Sequence, residues 1–153
     1  MNNIKRILVV SRMTQYCQKA IQTGISLAKK YDAELYVIHA VHDPFDLTGW
    51  HFGGLFNVEA EYKKQLQKSR RDLDTIIDDE KEQGVSVQVL ISQDDPTTDI
   101  LKAVKEHSID LLIMLAHEEG RIEHFLFGRS NEKIIMEMPC SILMVKKEPG
   151  PTA

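Results

Sequence analysis

The sequence contains few cysteines, and neither is placed for chemistry. Cys17 and Cys140 lie far apart in the chain and form no CxxC motif. This excludes a disulfide-stapled fold and a thiol-rich metal centre, and it predicts two reduced, buried thiols in a cytoplasmic protein. No histidine or other general base stands beside either cysteine in the sequence, which argues against a nucleophilic thiol.

The sequence also lacks a long apolar run and an excess of positive charge. No stretch reaches the roughly 18 apolar residues of a membrane-spanning helix. The run from Ile7 to Val10 is too short for the apolar core of a signal peptide. The formal net charge is −4 at pH 7, whereas a general nucleic-acid binder shows a basic face. We therefore expect neither a membrane nor a nucleic acid as a partner.

Residue types that serve in catalytic or metal sites occur here without the necessary spacing. Ser11 and Ser130 have no nucleophile-elbow context. Two groups of histidines and carboxylates lack the ligand spacing of a metalloprotein. They are His39, His42 and Asp43, and His117, Glu118, Glu119 and His124. We predict no catalytic residue and no bound metal, and thus a protein that is not an enzyme.

Short apolar runs alternate regularly with helical patterns along the chain. The 153 residues are predicted to form a single domain, residues 1–153, with a polar tail from about residue 147. Five runs have the length and composition of buried strands. They are Ile4–Val10, Leu35–Val41, Val85–Ile91, Ile109–Leu115 and Pro139–Val145. Between them, Thr14, Gly84 and the pair Asp95-Pro96 are typical signals of helix ends.

This alternation predicts an α/β fold with a doubly wound, five-stranded parallel sheet and helices on both faces. Right-handed crossovers limit the strand orders, and the order must reverse direction at one point. In doubly wound sheets that point lies beside the carboxyl end of the first strand, where ligands bind. Ser11 and Arg12 are therefore expected to face the loop after the fourth strand, across a crevice.

The loop after the fourth strand has the position of a nucleotide site but little of its chemistry. Gly128-Arg129-Ser130 is predicted to form a turn and the N-cap of a helix, and helix N-termini bind anions. A phosphate cradle prefers glycines, because backbone N–H groups must approach the ligand closely. Here the loop begins with His117, Glu118 and Glu119 and has a single early glycine, Gly120. The architecture thus indicates a nucleotide site that the composition of the loop argues against.

Several short motifs, taken in their order and spacing, resemble those of a known family. The strongest are Asp110-Leu-Leu-Ile-Met114, the Phe125-Leu-Phe-Gly128 turn and the closing Met138-Pro-Cys-Ser-Ile-Leu-Met-Val145. From Ile4 to about Lys147 the chain resembles the universal stress protein (UspA-like) family. The resemblance implies a sheet of order 3-2-1-4-5, a homodimer, a role in stress survival and, in one subclass, ATP binding.

The ATP-binding subclass carries Gly-x-x-Gly and then Gly-Ser/Thr after the fourth strand, and this chain departs from that pattern. Leu115 and Glu118 replace the two early glycines, and Arg12 replaces an aspartate that is expected to contact the nucleotide. Arg129 follows Gly128 where the family has serine or threonine. The nucleotide-binding positions that the resemblance implies are Ser11, Arg12, Val41, Leu115, Glu118, Gly128, Arg129 and Ser130.

Glu118 gives the clearest physical objection to ATP. Its carboxylate falls where the triphosphate should sit, and like charges about 4 Å apart cost on the order of 1 kcal/mol in water and about 4 at intermediate dielectric. Arg12 and Arg129 offset part of this cost, because guanidinium groups suit phosphate. We therefore expect weak or absent ATP binding and no cofactor.

The function that follows is a homodimeric regulatory or protective binding module of the stress response, with a regulatory protein as a candidate partner. Two alternatives remain open. One is a nucleotide switch that binds ATP, AMP or a cyclic nucleotide, with Mg, in the crevice after the first and fourth strands. The other, less favoured, is a weak ATPase, which would need a metal site and a positioned water.

The last strand is the predicted dimer interface. In the order 3-2-1-4-5 it lies at an edge of the sheet, and exposed apolar edges invite pairing. Pro139 precedes its apolar residues and two lysines follow them, which leaves the middle of the strand unprotected. These apolar residues are Ile142, Leu143, Met144 and Val145. Pairing of the strand with its copy across a two-fold axis is the simplest arrangement.

Overall fold

The structure is a computed structural model that describes residues 3–12, 17–40, 56–92, 95–116 and 131–146. Strands and helices alternate in chain order. They are β1 (Arg6–Ser11), α1 (Cys17–Tyr31), β2 (Glu34–His39), α2 (Phe56–Glu82), β3 (Val87–Ile91), α3 (Pro96–Glu106), β4 (Leu111–Leu115), α4 (residues 131–137) and β5 (Ser141–Val145). Within the described ranges, no helix is both long and apolar enough to cross a membrane.

The five strands form one parallel sheet in the order β3-β2-β1-β4-β5, which confirms the predicted fold class. β1 pairs with β2 at one edge, with Ile7 opposite Leu35, and with β4 at the other, with Ile7 opposite Leu111. These three inner strands are buried along almost their whole length. Strands covered on both faces read as continuous apolar runs, and this is why the sequence reveals them.

Each face of the sheet carries its own apolar core, because successive side chains of a strand point to opposite faces. Val9 belongs to a buried cluster with residues of α1 and α2, among them Ile77. Leu8, its neighbour in the strand, belongs to a second cluster with Ile100 of α3 and Ile134 of α4. Helices therefore cover both faces, as predicted.

The start of β1 is fixed by the carboxylate of Asp110, which directly precedes β4 and is more than one hundred positions away in sequence. Asp110 Oδ2 accepts hydrogen bonds from the backbone N–H groups of Lys5 and Arg6, each at 2.9 Å. The Asp110 N–H in turn donates to the Arg6 carbonyl at 2.9 Å. Ile4 is buried but precedes the ladder, so the strand begins two residues later than the apolar run.

The end of α2 explains why β3 also begins late. Gly84 has a φ of 93°, a left-handed conformation that glycine adopts without strain. The N–H of Val85 donates to the Glu80 carbonyl at 3.1 Å and so satisfies a carbonyl of the last helical turn. Val85 therefore belongs to the helix end, and the strand starts at Val87. The prediction that Gly84 ends this helix is confirmed.

Asp95 caps α3 as predicted. Its Oδ2 accepts hydrogen bonds from the Thr98 backbone N–H at 2.9 Å and from the Thr98 hydroxyl at 2.7 Å. Pro96 occupies the first helical turn. Backbone N–H groups there have no acceptor within the helix, so a proline costs no hydrogen bond. The proposed cap of the first helix, Thr14, lies outside the described residues.

Gly24 allows α1 to lie close to the sheet. A Cβ atom at this position would overlap with Val9 Cγ2 of β1 and lie 3.2 Å from Leu35 Cδ1 of β2. Ile113 of β4 is also within contact distance. The helix thus rests on the three inner strands at the one residue that has no side chain.

Gly24→Ala is therefore expected to lower the free energy of unfolding by about 1–3 kcal/mol, the usual cost of overpacking. In an exposed helix the same change would raise it by about 1 kcal/mol, so the sign of the effect reports the close approach. Denaturant unfolding followed by circular dichroism measures the difference. Val9→Ala removes the methyl groups that overlap with the new Cβ atom. The free energy of unfolding should therefore fall less in the double variant than the sum of the decreases in the two single variants. A more stable Gly24→Ala protein would contradict this packing.

Candidate functional site

The crevice lies at the carboxyl ends of β1 and β4, where the strand order reverses. Ser11 ends β1 and Leu115 ends β4, and Ala40 directly follows β2. The structure describes Ser11, Arg12 and Leu115 among the predicted nucleotide-binding positions. The remaining positions, Val41, Glu118, Gly128, Arg129 and Ser130, lie outside the described residues.

Arg12 spans the crevice from one side to the other. Its Nη1 donates to the Ala40 carbonyl at 3.2 Å, and its Nη2 donates to Asn131 Oδ1 at 3.4 Å. Asn131 Nδ2 donates in turn to the Leu115 carbonyl at 3.1 Å. One guanidinium and one amide therefore connect the ends of β2, β1 and β4 through α4.

This network places Arg12 inside the protein. The residue is 3% exposed, and its backbone N–H donates to Cys17 Sγ at 3.2 Å, which holds the start of α1 against the end of β1. Leu115 is also buried, and its side chain belongs to the core between the sheet and α1 and α2. A phosphate group would therefore compete with protein acceptors for a guanidinium that is almost fully buried.

Asn131 is a residue of the site that the sequence analysis missed. Its amide oxygen accepts from Arg12 while its amide nitrogen donates to Leu115, a double role that suits an amide side chain. An asparagine directly after a predicted helix cap is a weak signal, since asparagine is common wherever helices begin. Its partners are distant in sequence, so only the fold identifies them.

Ser11 bonds to a buried histidine of the neighbouring strand. His39 ends β2 opposite Ser11, and its Nδ1 lies 3.0 Å from Ser11 Oγ. Both residues are buried. The pair thus joins the carboxyl ends of β1 and β2.

The other ring nitrogen of His39 faces α2. Nε2 is buried and has no hydrogen-bond partner among the described residues. Asp74 Oδ1 lies 3.5 Å away, a distance typical of a charge interaction rather than a good hydrogen bond. Burial lowers the pKa of His39, and the Asp74 carboxylate opposes this while Arg70 adds to it. His39 is therefore held as a neutral ring near neutral pH.

The other candidate sites give no catalytic arrangement in the described part of the chain. Cys17 is buried, and burial raises the pKa of the half-buried Cys140 thiol, which makes it a poor nucleophile. Among the described residues, no group of His, Cys, Asp and Glu is arranged to hold a metal ion. His39 pairs with Ser11 as above, and its suggested co-ligands His42 and Asp43 lie outside the described residues.

These features define an α/β protein of the doubly wound class with a crevice at its switch point. Residues 3–146 match the model of the universal stress protein family, and the chain belongs to that family. A universal stress protein of Methanocaldococcus jannaschii is 25% identical over 146 residues, which cover 95% of this chain and 84% of that protein. The family expected from the sequence motifs is confirmed.

Solved structures share the fold. The universal stress protein UspA from Lactobacillus plantarum has a TM-score of 0.66 and 18% identity, with 95% of this chain and 99% of that chain covered. A universal stress protein family protein from Arabidopsis thaliana, with AMP bound, has a TM-score of 0.58 and 15% identity, with 97% and 95% covered. At these identities the likeness concerns the fold alone, and the AMP belongs to the Arabidopsis protein.

The neutral state of His39 makes stability depend on pH. The unfolded histidine takes up a proton as the pH falls below its ordinary pKa of 6.5, whereas the folded one resists it. The free energy of unfolding should therefore fall as the pH decreases from about 7 to about 5, by up to about 1.4 kcal/mol per pH unit. Denaturant titrations at several pH values measure this slope.

Two variants separate His39 from the other titrating groups. In His39→Gln, the free energy of unfolding should lose the part of its pH dependence that comes from this histidine. In Asp74→Asn the pH dependence should become steeper, because the variant lacks the carboxylate that favours the protonated ring. His107→Gln, at a histidine outside this site, controls for the change of residue type. An unchanged slope in His39→Gln would show that other groups determine the pH dependence.

Proposed function

We propose that the protein is a non-catalytic, homodimeric binding module of the stress response that regulates or protects a cytoplasmic partner. We further propose that it binds Mg-ATP weakly or not at all. Membership of the universal stress protein family supports the stress-response role. The buried Arg12 supports the second part, because it fills the position at which a nucleotide-binding relative is expected to carry an aspartate.

Three features of the crevice support weak or absent binding of Mg-ATP. The Nη1 and Nη2 atoms of Arg12 already donate to Ala40 and Asn131, and the residue is almost fully buried. A carboxylate at this position would attract Mg²⁺, whereas a guanidinium repels it. Leu115, where the motif has glycine, belongs to the core. The sequence adds the Glu118 carboxylate at the expected triphosphate position.

A nucleotide switch is the second candidate function. The AMP-bound relative from Arabidopsis supports it at the level of the fold. Arg12 also gives it a physical route, because a guanidinium that left Ala40 and Asn131 would present a fork suited to a metal-free phosphate. On this view the exchange of protein acceptors for a phosphate would be the switch.

The first candidate predicts that two changes open the crevice. The double variant Arg12→Asp/Glu118→Gly restores two family positions, removing a cation that repels Mg²⁺ and a carboxylate that repels the triphosphate. We expect Mg-ATP to bind the variant about tenfold more tightly than the wild type, a gain of about 1.4 kcal/mol. Titration calorimetry on both proteins measures it.

Lys105→Asp is the matched control, because it replaces a cation by aspartate on the exposed face of α3. It should leave Mg-ATP binding unchanged. Thermal unfolding of each variant verifies that it is folded. Tight binding of ATP or AMP by the wild type, abolished by Arg12→Ala, would favour the nucleotide switch and overturn the first candidate.

The homodimer is proposed to form through β5. β5 pairs with β4 at one edge, from Leu111 opposite Ser141 to Leu115 opposite Val145. In the described sheet no strand pairs with its other edge, which leaves a row of backbone N–H and C=O groups free. Ile142, Leu143 and Met144 are each half-buried. A second copy would cover their exposed parts and satisfy the backbone groups.

Light scattering at micromolar concentration is expected to give twice the 17.5 kDa mass of the chain. At high ionic strength, Met144→Lys should shift the protein to monomer, because a charged group at an apolar interface is costly to desolvate. Ile91→Lys is the matched control, since Ile91 is an exposed apolar residue of the opposite edge strand, and it should stay dimeric. A wild-type monomer, or a Met144→Lys protein that stays dimeric at high ionic strength, would contradict this interface.

A further inference from the structure

One face of α2 carries charges that the fold itself does not use. Residues at spacings of four and three form a stripe along the helix, and each of them is exposed. They are Lys64, Lys68, Arg71, Thr75, Asp78 and Glu82. The stripe lies opposite Leu73 and Ile77, which are buried against the sheet. It therefore points straight away from the core.

The charges of this stripe are segregated in a way that destabilises the isolated helix. Its N-terminal half is basic and its C-terminal half is acidic, so neighbours along the stripe repel each other. The carboxylates of Asp78 and Glu82 also lie near the negative end of the helix dipole, which is their unfavourable end. A face built only for solvation would alternate its signs instead.

Within the described part of the chain, none of the charged side chains in the stripe forms an ion pair. Other faces of the same helix do pair their charges. Arg70 Nε lies 3.6 Å from Asp74 Oδ2, and Lys29 Nζ of α1 lies 2.6 Å from Glu80 Oε2. Among the described residues, the charges of the stripe therefore have no intramolecular ion-pair partner, and the same holds for the exposed Asp72, Asp79 and Lys81 of this helix.

The same segregation makes the stripe complementary to itself. If a second copy of α2 lies antiparallel on the first, Lys64 faces Glu82 of the second copy and Lys68 faces its Asp78. Arg71 then lies beside the small Thr75, near the two-fold axis. The arrangement repeats on the other side of the axis, as an isologous contact requires. Antiparallel helix dipoles add to the attraction.

We propose that two copies of the protein associate through this stripe of α2, by antiparallel pairing of its basic and acidic halves. An open groove of about 570 Å³ lined by Lys64, Gln67, Lys68, Arg71 and Asp72 gives acidic side chains of the second copy room to enter. The surface differs from the β5 edge, so the two contacts together would link dimers into larger assemblies. The inference does not rest on the proposed function of the crevice.

The contact is weak and depends on salt. Exposed ion pairs each contribute little to association, and the stripe has no large apolar residue to add to them. Raising the ionic strength from about 0.01 M to about 1 M shortens the screening length from about 30 Å to about 3 Å. Association through α2 should therefore weaken by at least about tenfold over this range, whereas apolar strand pairing through β5 should not.

Charge reversal tests the pairing in a Met144→Lys background, which removes the β5 contact from the measurement. One variant carries Lys64→Glu and Lys68→Glu, and the other carries Asp78→Lys and Glu82→Lys. At low salt each variant alone should sediment as a monomer, because positions 64 and 68 then carry the same sign of charge as positions 82 and 78, which they face in the second copy. An equimolar mixture of the two should associate again, because the stripes are now complementary between the variants.

Lys105→Glu/Lys133→Glu is the matched control, since it makes the same change of net charge at exposed residues of α3 and α4. It should self-associate like the Met144→Lys protein. The proposal is overturned if the mixture stays monomeric or if the control loses association to the same extent. Loss confined to the Lys64→Glu/Lys68→Glu variant would also overturn it, because the basic half would then serve an acidic partner other than a second copy.

Discussion

The position of β1 between β2 and β4 determines what the crevice can contain. A strand buried on both faces leaves its polar groups accessible only at its ends, and the ends of parallel strands meet at one edge of the sheet. The Ala40 and Leu115 carbonyls therefore flank the residue that follows β1. A long side chain with donors at its tip, followed by one amide, is enough to connect all three strands.

Arg12 turns a potential binding crevice into a part of the folded core. Burying a guanidinium is costly unless its N–H groups have acceptors, and Ala40 and Asn131 supply them. Beside it, the Ser11–His39 pair occupies the end of the adjacent ladder. The chain thus has the fold of its family, and the function of its crevice depends on the side chains placed there, since a fold does not fix a function.

The fold was largely predictable because its signals are local. The apolar run before Leu115 marks a strand buried on both faces, and the Asp95-Pro96 pair marks a helix start, whatever the rest of the chain does. The site was predictable only in position. A backbone carbonyl such as that of Ala40 has no signature in the sequence, and the bond from Arg12 to Asn131 spans 119 positions. Such partners become visible only when the strand order and register are known.

The carboxylate of Asp110 has a consequence for the order of events during biosynthesis. It holds the N–H groups of Lys5 and Arg6 across 105 and 104 positions of sequence, so the first strand to leave the ribosome must wait for β4. Until then β1 can pair with β2 alone, and one edge of this largely apolar strand remains open. Because long-range pairing forms slowly, the nascent chain passes through a stage in which its future centre is an unprotected edge. A chaperone that recognises extended apolar segments would find its target along this open edge of β1.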